Sequence, residues 1–222
     1  TLAISSAASD VYKRQMYNFQ NTGLSILEIG HRSKEFEKLM NSLQENIRNI
    51  FNVPTNYFTL FLQGGATFQN TFIANNFDKR DKDLGCLVTG TWGKNTFDDF
   101  SKIRETKLIE LSQDEIENFV ESGEDLKNVD YLHLTSNETI NGVQLREFNK
   151  INHDSLLIDM SSDIGSYRFE WDNIAYIYAG AQKNMGIPGV SICIGDEKHL
   201  NSGDNSKYLS LIHISEPTRL RH

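Results

Sequence analysis

Leu156-Leu-Ile-Asp-Met160 and Ala175-Tyr-Ile-Tyr-Ala-Gly-Ala-Gln-Lys-Asn184 decide how this chain is read. Each opens as a short apolar run and ends in small or polar residues. A run of four to eight apolar residues bounded by turn signals fits a strand buried on both faces. The same grammar recurs at Tyr57–Leu62, Cys86–Thr89, Tyr131–Thr135 and Val190–Ile194. Helix-like stretches lie between several of them, at Asn95–Arg104 and Asp114–Ser122, and after Gly64-Gly65 a helix is expected from about Phe68. Upstream, Phe36, Leu39, Met40, Leu43, Ile47, Ile50 and Phe51 fall at helical spacing behind Ser33, a suitable N-cap, with Pro54 closing the segment. Strands alternating with helices predict an α/β fold, a mostly parallel sheet covered by helices on both faces. Ligands of such sheets gather at the carboxyl ends of the strands.

Length and composition are consistent with one cored domain: 222 residues, 38% of them apolar. The formal charge of −8 argues against a broad attraction to nucleic acid or anionic membrane, though a local pocket can still be positive. Cys86 and Cys193 sit inside apolar runs and are expected as buried free thiols. No stretch approaches membrane-spanning length and nothing resembles a signal peptide, so a cytoplasmic location is expected. The ends read differently. Asp10-Val-Tyr-Lys-Arg-Gln15 can be encoded by GAT GTG TAT AAG AGA CAG, whose reverse complement encodes Leu-Ser-Leu-Ile-His-Ile, the residues of Leu209–Ile214. One adapter-like DNA string read inward from both ends accounts for both segments. Residues 1–15 and 209–222 are therefore set aside as non-native, and 16–208 is read as one incomplete large domain.

The residues that follow each strand carry the chemistry. Gly64-Gly-Ala-Thr67 offers bare backbone N–H groups and a hydroxyl at a helix start, a plausible anion cradle, although a Gly-Gly pair is more often only a tight turn. Trp92 sits just past a strand end, where its ring could stack on a flat ligand or pack in the core. Asp159, at the exit of a buried strand, needs a partner. A pyridinium N–H is one, and capping the next turn is the plain alternative. Lys183 lies in a loop of small side chains, where desolvation would lower its amine pKa and suit it to a Schiff base; a solvated surface lysine is the plain alternative.

Six runs, in order, resemble a known family: Glu28-Ile-Gly-His-Arg-Ser33, Phe61-Leu-Gln-Gly-Gly-Ala66, Thr89-Gly-Thr-Trp92, Asn137-Glu-Thr-Ile-Asn-Gly142, Ile158-Asp-Met-Ser-Ser162 and Ile177-Tyr-Ala-Gly-Ala-Gln-Lys-Asn184. They resemble the phosphoserine aminotransferases, class V members of the fold-type-I pyridoxal-phosphate superfamily. The resemblance spans about Gly23 to Ile194 and implies pyridoxal 5′-phosphate as cofactor. It implies that Lys183 forms the Schiff base, Gln182, Ala66 and Thr67 hold the cofactor phosphate, and Asp159 pairs with the pyridine nitrogen. Trp92 would stack on the ring and Thr139 would bond its phenolic oxygen. Arg32, with His31 beside it, would bind a substrate carboxylate or phosphate. The implied reaction is transamination between L-glutamate and 3-phosphohydroxypyruvate, in a homodimer. The glycine-rich segment expected before Tyr17 and the small C-terminal domain of that family are missing, so reduced activity is expected of this chain. Two alternatives remain: another class V pyridoxal-phosphate enzyme, or a fragment that only binds cofactor.

Overall fold

A computed structural model describes residues 14, 16–77, 83–122, 126 and 128–199. The terminal segments set aside above fall outside the described residues, apart from Arg14. Two compact units meet at Asn46/Ile47 and are described separately.

In the first unit, His31 and Arg32 occupy an exposed turn ahead of helix α1 (Lys34–Phe51), which runs across the boundary. Ser33 is its N-cap: the Phe36 N–H donates to Ser33 Oγ at 3.1 Å. Of the apolar stripe only Ile47 and Phe51, at the carboxyl end, are fully buried.

The second unit is built on a seven-stranded sheet in the order β1-β9-β8-β7-β4-β2-β3. Its strands are β1 (Tyr57–Gln63), β2 (Asp83–Val88), β3 (Thr106–Glu110), β4 (Val129–Thr135), β7 (Leu156–Asp159), β8 (Ile174–Gly180) and β9 (Val190–Asp196). β9 runs antiparallel to both its neighbours and every other pair is parallel. The mostly parallel sheet is therefore observed. All seven residues of β8 are buried, as a strand covered on both faces requires. On one face α2 (Gly65–Asn76) and α3 (Thr91–Ser101) pack Phe72, Ile73 and Phe100 against Cys86, Tyr131, Leu157 and Tyr178. On the other, α4 (Gln113–Ser122) and the end of α1 join Leu132, Leu134, Ile158 and Ile177. Among the described residues no helix is long and apolar enough to cross a membrane.

Three differences from the sequence reading have local causes. α2 begins at Gly65 rather than Phe68, because Gly64 takes a left-handed conformation (φ +105°) and turns the chain directly into the helix. α3 begins at Thr91 rather than Asn95, because acceptors distant in sequence satisfy its first N–H groups. β3 is an edge strand paired only with β2; in Thr106-Lys-Leu-Ile-Glu110 only Leu108 and Ile109 are apolar, too short a run to mark a strand. A small hairpin, β5 (Asn137–Glu138) with β6 (Val143–Gln144), stands apart from the main sheet.

Candidate active site

The carboxyl ends of β1, β2, β4, β7 and β8 lie on one rim, since β1 and β8 both oppose β9. A cavity of about 690 Å³ opens there. Ala66, Thr67, Trp92, Asp159, Gln182 and Lys183 all line it. Six of the nine residues singled out in the sequence are thus brought together, from four separate stretches of chain. Thr139 does not line the cavity, and His31 and Arg32 belong to the other unit.

Asp159 ends β7 with Thr135 beside it on β4 and Tyr178 on β8. Its carboxyl is half-buried and holds one oxygen against Ser161, which donates both its backbone N–H (2.8 Å) and its hydroxyl (2.5 Å). Burial pushes the carboxyl above its ordinary value; the Ser161 bonds and the Lys183 ammonium pull the other way. Ser161 Oγ also accepts the Gly180 N–H at 3.0 Å, tying β7 to the strand that leads to Lys183.

Lys183 lies in the turn after β8 and is exposed, so the partly apolar enclosure expected around its amine is not formed by the described residues. Its Nζ stands 5.9 Å from the centroid of the Trp92 ring. Trp92 is 42% exposed at the rim, so it is a cavity wall and not core packing. Its indole N–H donates to Thr139 Oγ1 at 3.0 Å, which makes Thr139 a support for the ring.

At the opposite wall, no side chain caps the first turn of α2. Gly64 and Gly65 (φ +68°) present the helix start to the cavity, where unpaired N–H groups and the helix dipole favour an anion. A hydrogen-bonded chain runs from the cavity wall into the sheet. Lys102 bonds Asp99 (2.9 Å), Asn70 Nδ2 donates to Asp99 (3.1 Å), the Tyr178 hydroxyl donates to Asn70 Oδ1 (3.1 Å), and His133 Nε2 meets Tyr178 at 3.0 Å. His133 is fully buried, and desolvation pushes its imidazole down to about 3.

The sequence reading missed two groups of site residues. Asn70, Asn95, Thr96, Asp99 and Lys102 line the cavity from within helices, where nothing in the local pattern marks them. Glu138, quoted only inside a motif, is fully buried, although its sequence neighbours Asn137 and Thr139 are polar and nothing local marks it. Cys86 and Cys193 are free and buried, and burial pushes the Cys193 thiol up to about 12, so neither is an available nucleophile. Among the described residues there is no group of side chains able to hold a metal ion.

An α/β sheet presenting a lysine, a half-buried carboxylate, an indole and a bare helix start to one cavity defines a pyridoxal-phosphate-type site. A family model agrees: Aminotransferase class-V matches residues 3–213, and the chain belongs to that family. Within it, the chain is similar to phosphoserine aminotransferases. It is 41% identical to that of Geobacillus kaustophilus over 186 residues, covering 82% of this chain and 51% of that protein. With that of Halalkalibacterium halodurans it shares 37% over 183 residues, 81% and 51% respectively. The solved phosphoserine aminotransferase of Bacillus circulans subsp. alkalophilus superposes with a TM-score of 0.79 at 33% identity, covering 89% of this chain and 56% of that one. A pyridoxal-phosphate-bound phosphoserine aminotransferase from Trichomonas vaginalis gives 0.75 at 29%, covering 87% and 59%. The chain spans about half the length of the curated relatives it matches.

Proposed function

We propose that the protein to which this chain belongs transfers the amino group of L-glutamate to 3-phosphohydroxypyruvate, giving O-phospho-L-serine and 2-oxoglutarate, with pyridoxal 5′-phosphate as cofactor. The observation that carries this is Asp159 and Lys183 facing one cavity at the carboxyl rim.

The residues present fit the cofactor. A half-buried carboxyl held above its ordinary value is served by a pyridinium N–H, which supplies positive charge where burial disfavours the carboxylate. An uncapped helix start suits a phosphate. Thr135 Oγ1, on a residue lining the cavity, is buried with no hydrogen-bond partner among the described residues. When bound, pyridoxal phosphate supplies an aldehyde carbon that exchanges amines and a conjugated ring that withdraws electrons from the substrate α-carbon.

The chain's own groups do the rest. With the cofactor bound, the Lys183 amine would hold its aldehyde carbon and, when free, would move a proton to and from the substrate α-carbon. Asp159, oriented by Ser161, would accept from the ring nitrogen and keep it protonated. Ala66 and Thr67 at the α2 start, with Gln182, would hold the phosphate. Trp92 would cover one face of the ring, and Thr139, whose oxygen accepts from the indole, would keep its hydroxyl proton for the phenolic oxygen. Arg32, with His31, binds a carboxylate of glutamate or the phosphate of the keto acid, a role suited to the planar guanidinium fork. We further propose a cytoplasmic homodimer, with residues 16–208 forming part of its large domain and 1–15 and 209–222 foreign to it.

The test is spectroscopic. Pyridoxal phosphate added to this chain should give a visible band that borohydride bleaches, leaving label on the Lys183 peptide; Lys183→Ala should show neither. Label on a different lysine, or none on either this chain or the complete gene product, refutes the assignment. A coupled assay of the complete gene product decides the substrate pair.

A further inference from the structure

Trp92 combines exposure with fixed backbone geometry, and the source of that order is the β5–β6 hairpin. The first three residues of α3 each find an acceptor there. Thr91 donates its N–H to Asn141 Oδ1 at 3.0 Å. The Trp92 N–H donates to one oxygen of Glu138 at 2.8 Å and the Gly93 N–H to the other at 2.6 Å. Thr139, between them in sequence, accepts from the indole of Trp92. No residue of α3 or its N-cap provides a side-chain cap of its own.

The fit around Glu138 is close. A Cβ on Gly90 would lie 2.7 Å from Glu138 Cδ and 2.8 Å from Cγ, and one on Gly93 would lie 3.1 Å from Oε1. Glycine at both places lets the carboxyl reach the helix axis. The hairpin is itself rooted beside β7: the Ser136 hydroxyl donates to Asp163 at 2.5 Å, and Gln144 and Tyr167 donate to the other oxygen of the same carboxyl. Two charge-assisted bonds to consecutive N–H groups fix both the position and the pitch of the first turn.

We infer that Glu138 is a positioning residue for Trp92: it clamps the start of α3 so that the indole is held over the Lys183 side of the cavity. Glu138 lies outside the cavity lining and acts through the tryptophan. The consequence for cofactor affinity rests on the pyridoxal-phosphate reading above; the clamp itself does not.

The experiment has two arms. In the first, the cofactor-free chain and Glu138→Gln are each compared with their Trp92→Phe counterparts, so that the signal of buried Trp171 subtracts out. Glu138→Gln keeps one acceptor oxygen and sets an amide against the other N–H. It should lower the anisotropy of Trp92 fluorescence and raise its quenching by acrylamide, with far-ultraviolet circular dichroism unchanged. Thr139→Val, at an exposed site, should move the same signals by a smaller amount and guards against misfolding of the first variant. An unchanged Trp92 signal in both variants overturns the clamp. In the second arm, pyridoxal phosphate affinity is measured across a cycle of Glu138→Gln and Trp92→Ala. Glu138→Gln should weaken binding about tenfold, the scale of one lost bond to a charged group, and should have no further effect once Trp92 is gone. An equal loss in both backgrounds means Glu138 acts on general structure and overturns the inference. A positive first arm with no cofactor binding by either the parent chain or the complete gene product leaves the clamp standing and refutes the functional reading instead.

Discussion

His133 should make this chain acid-sensitive in a way that one substitution removes. The ring is fully buried on β4, edge-on to Phe100 at 5.2 Å, with Nε2 against the Tyr178 hydroxyl and Nδ1 3.8 Å from Cys86 Sγ. Tyr178 spends its proton on Asn70, so Nε2 carries the hydrogen and Nδ1 is left facing a weak thiol. A second proton would have no good acceptor, and desolvation lowers the imidazole from 6.5 to about 3. The unfolded chain protonates this histidine below pH 6.5 and the native chain does not. The unfolded state therefore binds more protons, and stability is lost as pH falls from 6.5 towards 3. At about 1.4 kcal/mol per pH unit, the loss at pH 5 is about 2 kcal/mol relative to pH 7. His133→Gln removes that term and, at neutral pH, costs about 2 kcal/mol in lost ring packing. Urea unfolding of both chains at steps from pH 7 to 5 isolates the difference, because the other titrating groups cancel. The gap between them should close by about 2 kcal/mol. A gap that stays constant over this range would show that His133 titrates as a hydrated side chain and would refute the burial argument.

Gly64→Ala should be costlier than Gly65→Ala. Both need positive φ, worth about 1–2 kcal/mol against alanine, but a Cβ on Gly64 also lies 2.9 Å from Phe68 Cβ while Gly65 has open space; equal denaturation midpoints would contradict this. Ser33→Ala should lose about 1 kcal/mol through the Phe36 N–H bond, read as a lower thermal midpoint, and no change would show that the cap is idle. Asp159→Asn keeps an oxygen for Ser161 and removes a charge that burial disfavours. The ligand-free variant should be at least as stable as the parent at pH 7 yet bind pyridoxal phosphate more weakly; a parallel loss of stability would point to a structural role only.

What the sequence made legible was set by burial. A strand covered on both faces must be apolar throughout, so β4, β7, β8 and β9 are written as runs that can be read without their neighbours. The residues after each run then fall on one rim by topology alone, and Trp92, Asp159 and Lys183 line one cavity there for that reason. Glu138 was not legible in its role. Its partners Trp92 and Gly93 lie 46 and 45 residues earlier, and no local pattern links a hairpin to a distant helix start. The same cause misplaced the start of α3: the capping group that would mark it is borrowed. β3 was missed because only two of its five residues, Leu108 and Ile109, are apolar, as a place at the sheet edge allows.

Two titrating groups here, fully buried His133 behind the cavity and half-buried Asp159 on its wall, shift in opposite directions, and the difference bears on function. His133 is buried neutral with each available proton matched to a partner, so it adds stability above pH 6.5 and asks nothing of a ligand. Asp159 is different. A carboxyl whose folded value is raised adds stability only below its unfolded value, and that contribution is lost as pH rises. At neutral pH the ionised group is therefore a cost carried by the ligand-free fold, only partly offset by Ser161 and Lys183. A cation placed against it converts that cost into binding energy, and a ligand that binds the folded chain alone stabilises it by mass action. Thermal unfolding with and without pyridoxal phosphate should therefore show a larger ligand-induced rise for the parent than for Asp159→Asn. The carboxyl is tolerated in the empty fold because its partner arrives with the ligand.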